Sequence, residues 1–236
     1  MSEGSYLASA SDRKDMERPF VYINSAMSVD GKISSIDRKQ VRISSPEDFV
    51  RVKSLRAESD AIMVGIGTVL ADDPGLRIKS SELRTTRTER GLPENPLRVV
   101  VDSRARIPLE AKVLGEGCLL AVSKAAPPER VEALKDKCEI VVLGADRVDL
   151  DVLFKVLLRK GVKRLMVEGG ATLNWALIEA GLVDEISVYV GPMIIGGEVA
   201  PTLVDGAGFC ENYPQIQLIS VESMGGGVLL KWRILH

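Results

Sequence analysis

Histidine is almost missing from this chain. Its 236 residues include one, His236, which is also the last. Serine–histidine and cysteine–histidine catalysis are therefore all but excluded, as are histidine-ligated zinc and iron sites. Any proton transfer must use Asp, Glu, Lys, Tyr or water. Cysteine is nearly as scarce. Cys118, Cys138 and Cys210 are odd in number, far apart and without C-x-x-C spacing. Neither a disulfide framework nor a cysteine-rich zinc site is expected, and a reducing cytoplasm fits. No apolar run approaches the roughly 18 residues of a membrane span. A net charge of −2 leaves no global footprint for nucleic acid. Residues 1–18 lack the apolar segment of a secretory signal and read as a mobile polar tail. Residues 19–236 read as one domain, with no composition break and no internal repeat.

What is present is an alternation of short apolar runs and helical stretches. Phe20–Ile23, Ala61–Val64, Leu97–Val101, Leu119–Val122, Ile140–Leu143 and Leu165–Val167 have the aliphatic, β-branched character of buried strands. Ser45-Pro46-Glu47-Asp48 combines an N-cap, a first-turn proline and an acid three residues on. Asp149 opens a second helix that stops at Gly161, and Thr172 opens a third that stops at Gly181. This order implies an α/β fold around a mostly parallel sheet. Glu185–Val190, Ile216–Val221 and Val228–Ile234 then add antiparallel strands at the C-terminal end. The stretch Lys79–Pro96 is polar and reads as a mobile surface loop.

The most informative segment is Val167–Asn174, VEGGATLN. A buried strand stops on two glycines and opens a helix, with Glu168 at the strand's end. Such a turn presents backbone N–H groups and a positive dipole end, which suits a phosphate or pyrophosphate. Gly65-Ile66-Gly67-Thr68 also follows a strand, but Leu70 stands where the dinucleotide fingerprint needs a third small residue. It remains either a phosphate-approaching turn or a tight strand-to-helix connection. Asp72-Asp73-Pro74 could bind a cation, hydrogen-bond a ligand's amino groups, or simply end a helix. Asn24 and Ser28 lie at a strand end, before an Asp30-Gly31 turn. Ser103-Arg104 and Ser123-Lys124 place a hydroxyl and a cation at successive strand ends, which suits a phosphate monoester.

Taken in order, NSAMSVDGKIS, LRAESDAIMVGIGTVLADDP, LRVVVDS, VEGGATLNWALIEAGLVDEISVYVGP and IIGG resemble the riboflavin-biosynthesis reductase family, in its stand-alone form. The resemblance runs from about Pro19 to the C-terminus. It implies a dihydrofolate-reductase-like three-layer fold, a cytoplasmic homodimer, and NADPH (or NADH) as hydride donor to a phosphorylated ribosylaminopyrimidine. Bifunctional bacterial relatives carry a zinc deaminase first, and no His-x-Glu or Pro-Cys-x-x-Cys exists here. Those relatives have lysine where Asn24 stands, so the resemblance is nearer the archaeal and fungal type, in which reduction precedes deamination.

By position, the resemblance points to Asp72 and Glu168 as catalytic residues, and Asn24, where the bacterial relatives have lysine, is expected to join them. It assigns cofactor contacts to Thr68, Asp72, Ser103, Gly169, Gly170, Ala171, Thr172, Leu173 and Asn174, and the strand-end residues Asp102, Ser123 and Lys124 are expected to add to them. Arg42, Arg56, Leu76, Lys79 and Glu168 would contact substrate, and no metal is implied. Two alternatives stay open at this level: a reductase of dihydrofolate or another pterin-like substrate, and a non-catalytic NADPH-binding regulator.

Overall fold

The computed structural model describes residues 17–236, and residues 1–16 lie outside it. Most of the expected tail is therefore undescribed, but its last residue is not loose. Arg18 forms a bidentate pair with Asp184, at 2.8 and 2.9 Å.

A nine-stranded sheet runs through the molecule in the order β5-β4-β3-β2-β6-β1-β7-β9-β8. Its strands are β1 (Phe20–Ser28), β2 (Ala61–Gly65), β3 (Leu97–Val101), β4 (Cys118–Val122), β5 (Glu139–Val142), β6 (Arg164–Val167), β7 (Glu185–Gly191), β8 (Ile216–Met224) and β9 (Gly227–Ile234). β1 to β7 pair in parallel, while β9 runs antiparallel to β7 and β8. The mixed, mostly parallel sheet with an antiparallel C-terminal end matches the sequence expectation.

Helices α1 (Pro46–Glu58), α2 (Ile66–Asp72), α3 (Ser81–Glu89), α4 (Pro128–Leu134), α5 (Leu150–Arg159) and α6 (Ala171–Glu179) complete the described elements. Period-two alternation sends successive strand residues to opposite faces of the sheet. Val21, Ile23, Met63, Leu165 and Val167 pack with Leu153, Phe154 and Leu157 of α5 and Leu173 and Leu177 of α6. Tyr22, Ile62, Val64 and Met166 pack the other way, with Val52 and Leu55 of α1, Ile66 and Val69 of α2 and Leu134 of α4. Three layers result because a parallel sheet must be covered on both faces. Ser45 caps α1 by accepting from the Asp48 N–H, and Asp149 caps α5 by accepting from the Val152 N–H.

The stretch 79–96 differs from the expected loop. It contains α3, capped by Ser80 and pinned by Arg87, which is 1 % exposed. The Arg87 guanidinium donates to the carbonyls of Ala57 and Ser59 (2.7 Å each) and Pro93 (2.8 Å). A cation at the end of α1 suits that helix's orphaned carbonyls and its dipole. An arginine held by carbonyls leaves no apolar stripe in the sequence, which is why this helix was not legible there.

Candidate functional site

β2 and β6 are neighbours, yet the chain leaves them in opposite directions. β2 leads to β3 on one side, and β6 leads to β7 on the other. In open α/β sheets a crevice forms at the carboxyl ends of such a strand pair. The two glycine turns of the sequence stand at those ends. The Glu168 N–H donates to the Met63 carbonyl at 2.9 Å, and the Gly65 N–H donates to the Gly169 carbonyl at 2.8 Å. The turns are thereby held side by side.

Glycine keeps both turns close to their neighbours. Gly169 has φ +92°, where other residues are strained, and its peptide with Gly170 is cis. A β-carbon on Gly65 would lie 3.3 Å from Leu173 Cβ, and one on Gly170 would lie 3.2 Å from Thr68 Oγ1. Gly65 caps α2 and Gly170 caps α6, neither with a side-chain hydrogen bond. The first-turn N–H groups of α6, from Ala171, Thr172 and Leu173, thus keep their donors for a ligand. Thr172 is exposed, whereas Leu173 is buried against Gly65. Asn174 is fully buried; its Nδ2 donates to the Leu203 carbonyl at 2.8 Å and its Oδ1 has no partner among the described residues.

Asp72 ends α2 with a buried Oδ1 that has no partner among the described residues, and burial pushes its carboxyl above the ordinary aspartate range. Asp73 turns elsewhere. Its Oδ1 accepts from the Lys112 N–H at 2.8 Å and its Oδ2 lies 3.1 Å from Lys112 Nζ.

On the α1 face of the sheet, Glu168 meets Arg56 fork to fork. Nε to Oε1 and Nη2 to Oε2 are both 2.6 Å. Burial alone would lower the Arg56 pKa, but the Glu168 charge and hydrogen bond raise it, and the net direction is upward. Asn24 stands one residue beyond the Ile23–Val167 pairing, as Glu168 does. Its Oδ1 accepts from Arg51 Nη2 at 2.8 Å. Arg51 also binds Asp48 and Ser187. Arg51 and Ser187 were not singled out from sequence, and Asp48 was read only as part of the start of α1. The only trace is an acid three residues before a cation on one helix.

The remaining expected residues divide. Arg42 is exposed, its guanidinium 5.5 Å from the Phe49 ring centre at the start of α1, and Lys79 is exposed just before α3. The Ser103 hydroxyl accepts from the Val148 N–H at 3.0 Å, and Lys124 is exposed at the end of β4. Three of the expected side chains turn inward. Ser123, 1 % exposed, hydrogen-bonds the carbonyls of Ser103 and Asp146 and accepts from the Ala125 N–H. Asp102, 0 % exposed, accepts from the Ile107 N–H at 2.8 Å. Both are short polar side chains that satisfy loop backbone after a strand. Leu76 is buried in the α2-side core, with φ +52°. Any ligand contact from it would come from its backbone.

Residues 19–230 match the model of the RibD C-terminal domain. The chain belongs to that family. It is 54 % identical over 212 residues to 2,5-diamino-6-ribosylamino-4(3H)-pyrimidinone 5′-phosphate reductase of Archaeoglobus fulgidus, covering 89 % of this chain and 95 % of that one. A protein of the same name from Methanothermobacter thermautotrophicus is 48 % identical over 203 residues, covering 85 % and 90 %. Among solved structures, a pyrimidine reductase-like protein of Corynebacterium diphtheriae superposes with a TM-score of 0.82 at 18 % identity, covering 92 % of each chain. At that identity the likeness speaks for the fold alone.

Proposed function

We propose that this member of the RibD C-terminal family reduces 2,5-diamino-6-ribosylamino-4(3H)-pyrimidinone 5′-phosphate to its ribitylamino counterpart in riboflavin biosynthesis. The name carried by its archaeal relatives supports this reading. The observation that carries it is the convergence of two uncapped glycine turns at the β2/β6 switch point, beside the Glu168–Arg56 pair.

The residues present fit a nicotinamide dinucleotide. Gly169 to Asn174 would hold its pyrophosphate on open N–H groups, and Thr68 and Asp72 would flank the nicotinamide. Bound there, it supplies the hydride that reduces C1 of the ribose. Lys124, exposed at a neighbouring strand end, favours NADPH over NADH by offering a cation to a 2′-phosphate.

Glu168 accepts hydrogen bonds from the pyrimidine's amino groups, and Asp72 adds negative potential where positive charge develops on the opened imine. The Arg56 fork uses Nε and Nη2 on Glu168, which leaves Nη1 for a substrate oxygen. Lys79 and Arg42 are the further cations for the 5′-phosphate. With no histidine at hand, water or a substrate group relays the proton. Most of the acceleration comes from orientation of the reacting carbons.

A homodimer is part of this reading. Ile216, Leu218, Ile219 and Val221 expose apolar surface on the edge strand β8, which a second copy would cover. Cytoplasmic residence follows from the pathway, and no described helix is long and apolar enough to cross a membrane.

The test is NADPH oxidation with the phosphorylated ribosylaminopyrimidine and, separately, with dihydrofolate. Oxidation with the first alone is expected. Turnover of dihydrofolate would favour the pterin alternative, and NADPH binding without turnover of either would favour a regulator.

A further inference from the structure

Arg51 lies on the same helix as Arg56 but is held quite differently. Its side chain is 14 % exposed. Nε and Nη2 lie 2.8 and 2.7 Å from Asp48 Oδ1, Nη1 donates to Ser187 Oγ at 3.2 Å, and Nη2 donates to Asn24 Oδ1 at 2.8 Å. Asp48, Asn24 and Ser187 are 1, 7 and 8 % exposed. A guanidinium engaged on three sides has little left for a ligand. Its influence on the reaction must pass through a neighbour.

Asn24 is the neighbour with a choice to make. A carboxamide has one accepting end and one donating end of nearly equal size. A guanidinium carries donors only, so the end of Asn24 that meets Arg51 is its oxygen. The amide cannot flip without placing N–H against N–H. Nδ2 is the end that remains, and it has no protein partner among the described residues. Asn24 follows Ile23, and Glu168 follows Val167, its register partner on the neighbouring strand; Glu168 is an acceptor already fixed by Arg56. The middle of β1 and the carboxyl end of β6 therefore present a fixed donor next to a fixed acceptor. An aminopyrimidinone edge carries the complement, with amino groups that donate beside ring nitrogen and carbonyl oxygen that accept.

The geometry points to Arg51 as a positioning residue that locks the Asn24 amide, so that Nδ2 donates to an acceptor on the pyrimidine edge while Glu168 accepts from an amino group. This rests on the reductase reading above. A flipped amide would oppose an oxygen to the substrate's acceptor, leaving two buried groups unpaired, the kind of mismatch that costs affinity heavily.

The experiment is a mutant cycle on Arg51→Met and Asn24→Ala. It is read by kcat/KM for the pyrimidine, by calorimetric binding of the pyrimidine phosphate without nucleotide, and by NADPH affinity. Each single change is expected to lower kcat/KM and pyrimidine affinity by roughly tenfold or more, with NADPH affinity held within about twofold. The double variant is expected to be no worse than Asn24→Ala alone, because Arg51 acts through Asn24. Multiplicative losses would make Arg51 a strut of the fold and overturn the inference. So would loss of thermal stability with normal kinetics of the folded protein.

If Arg51→Met does not fold, Asn24→Asp decides. It keeps an oxygen on Arg51 and turns the donating end into a charged acceptor, so a loss of pyrimidine affinity at unchanged melting temperature is expected. Full activity would overturn the proposal. A wild-type protein inactive on the ribosylaminopyrimidine would instead remove the reductase reading, and is seen before any variant is made.

Discussion

Arg56 and Glu168 pair fork to fork across the gap between α1 and the end of β6, with both contacts at 2.6 Å. Each was expected to meet the substrate. Here each also fixes the other, so the acid at the centre of the site has one orientation before any ligand arrives. Such preorganisation lowers the cost of binding and of stabilising charge. Glu168→Gln keeps the shape, removes the charge and weakens the fork. Turnover is expected to fall roughly 10- to 100-fold while NADPH affinity stays near normal. Steady-state kinetics with equilibrium NADPH titration checks this, and unchanged turnover removes Glu168 from the chemistry.

Asp72 gives a pH signature. Burial raises its carboxyl above the ordinary aspartate value of 3.8. Ionising it therefore costs more in the folded chain than in the unfolded one. The fold loses stability as pH rises from the ordinary value through the raised one. Asp72→Asn removes that loss. The variant is expected to melt higher than wild type at pH 7 and alike at a pH below 3.8, as measured by differential scanning calorimetry at the two pH values. Activity should fall in the same variant, a stability–function trade seen at many sites.

Gly170 is predicted to matter for the cofactor rather than the fold. Its φ suits any residue at −78°, but an added β-carbon would lie 3.2 Å from Thr68 Oγ1, between the two glycine turns. Gly170→Ala should weaken NADPH binding by roughly tenfold or more with little change in melting temperature. Isothermal titration and a thermal melt of the same sample separate the two effects.

Arg87 is the converse case, a residue of the fold with no expected part in chemistry. Arg87→Leu would leave the carbonyls of Ala57, Ser59 and Pro93 without their donor. Unsatisfied buried carbonyls cost about 1–3 kcal/mol each, so a total loss of about 2–4 kcal/mol is expected once some reach water. Urea unfolding should show a lower midpoint with an unchanged slope. A shift below about 0.5 kcal/mol would mean that α3 is not held by this contact.

Much of this was legible in the residues, for identifiable reasons. Strands such as Ala61–Gly65 and Arg164–Val167 are buried on both faces, and aliphatic runs record that directly. Ser45 and Asp149 announce their helices because capping is local in sequence. The convergence of Gly65 with Gly169 and Gly170 was hinted at by two glycine turns after two strands. Their adjacency is a matter of strand order, which no local pattern encodes. Arg87 and Arg51 were missed for a related reason. Their partners include a carbonyl, an amide and a hydroxyl 27 to 136 positions away, contacts that leave no periodic trace. Ser123 and Asp102 show the opposite ambiguity. A polar residue at a strand end serves its own loop as readily as a ligand.

Delivery of a hydride to the ribose carbon in this crevice can be followed with NADPH carrying deuterium at the transferable position of C4, incubated with the ribosylaminopyrimidine phosphate. A ribitylamino product with a single deuterium on C1 of the sugar chain is expected. Deuterium on the pyrimidine ring, or a product without deuterium, would rule out hydride transfer to that carbon.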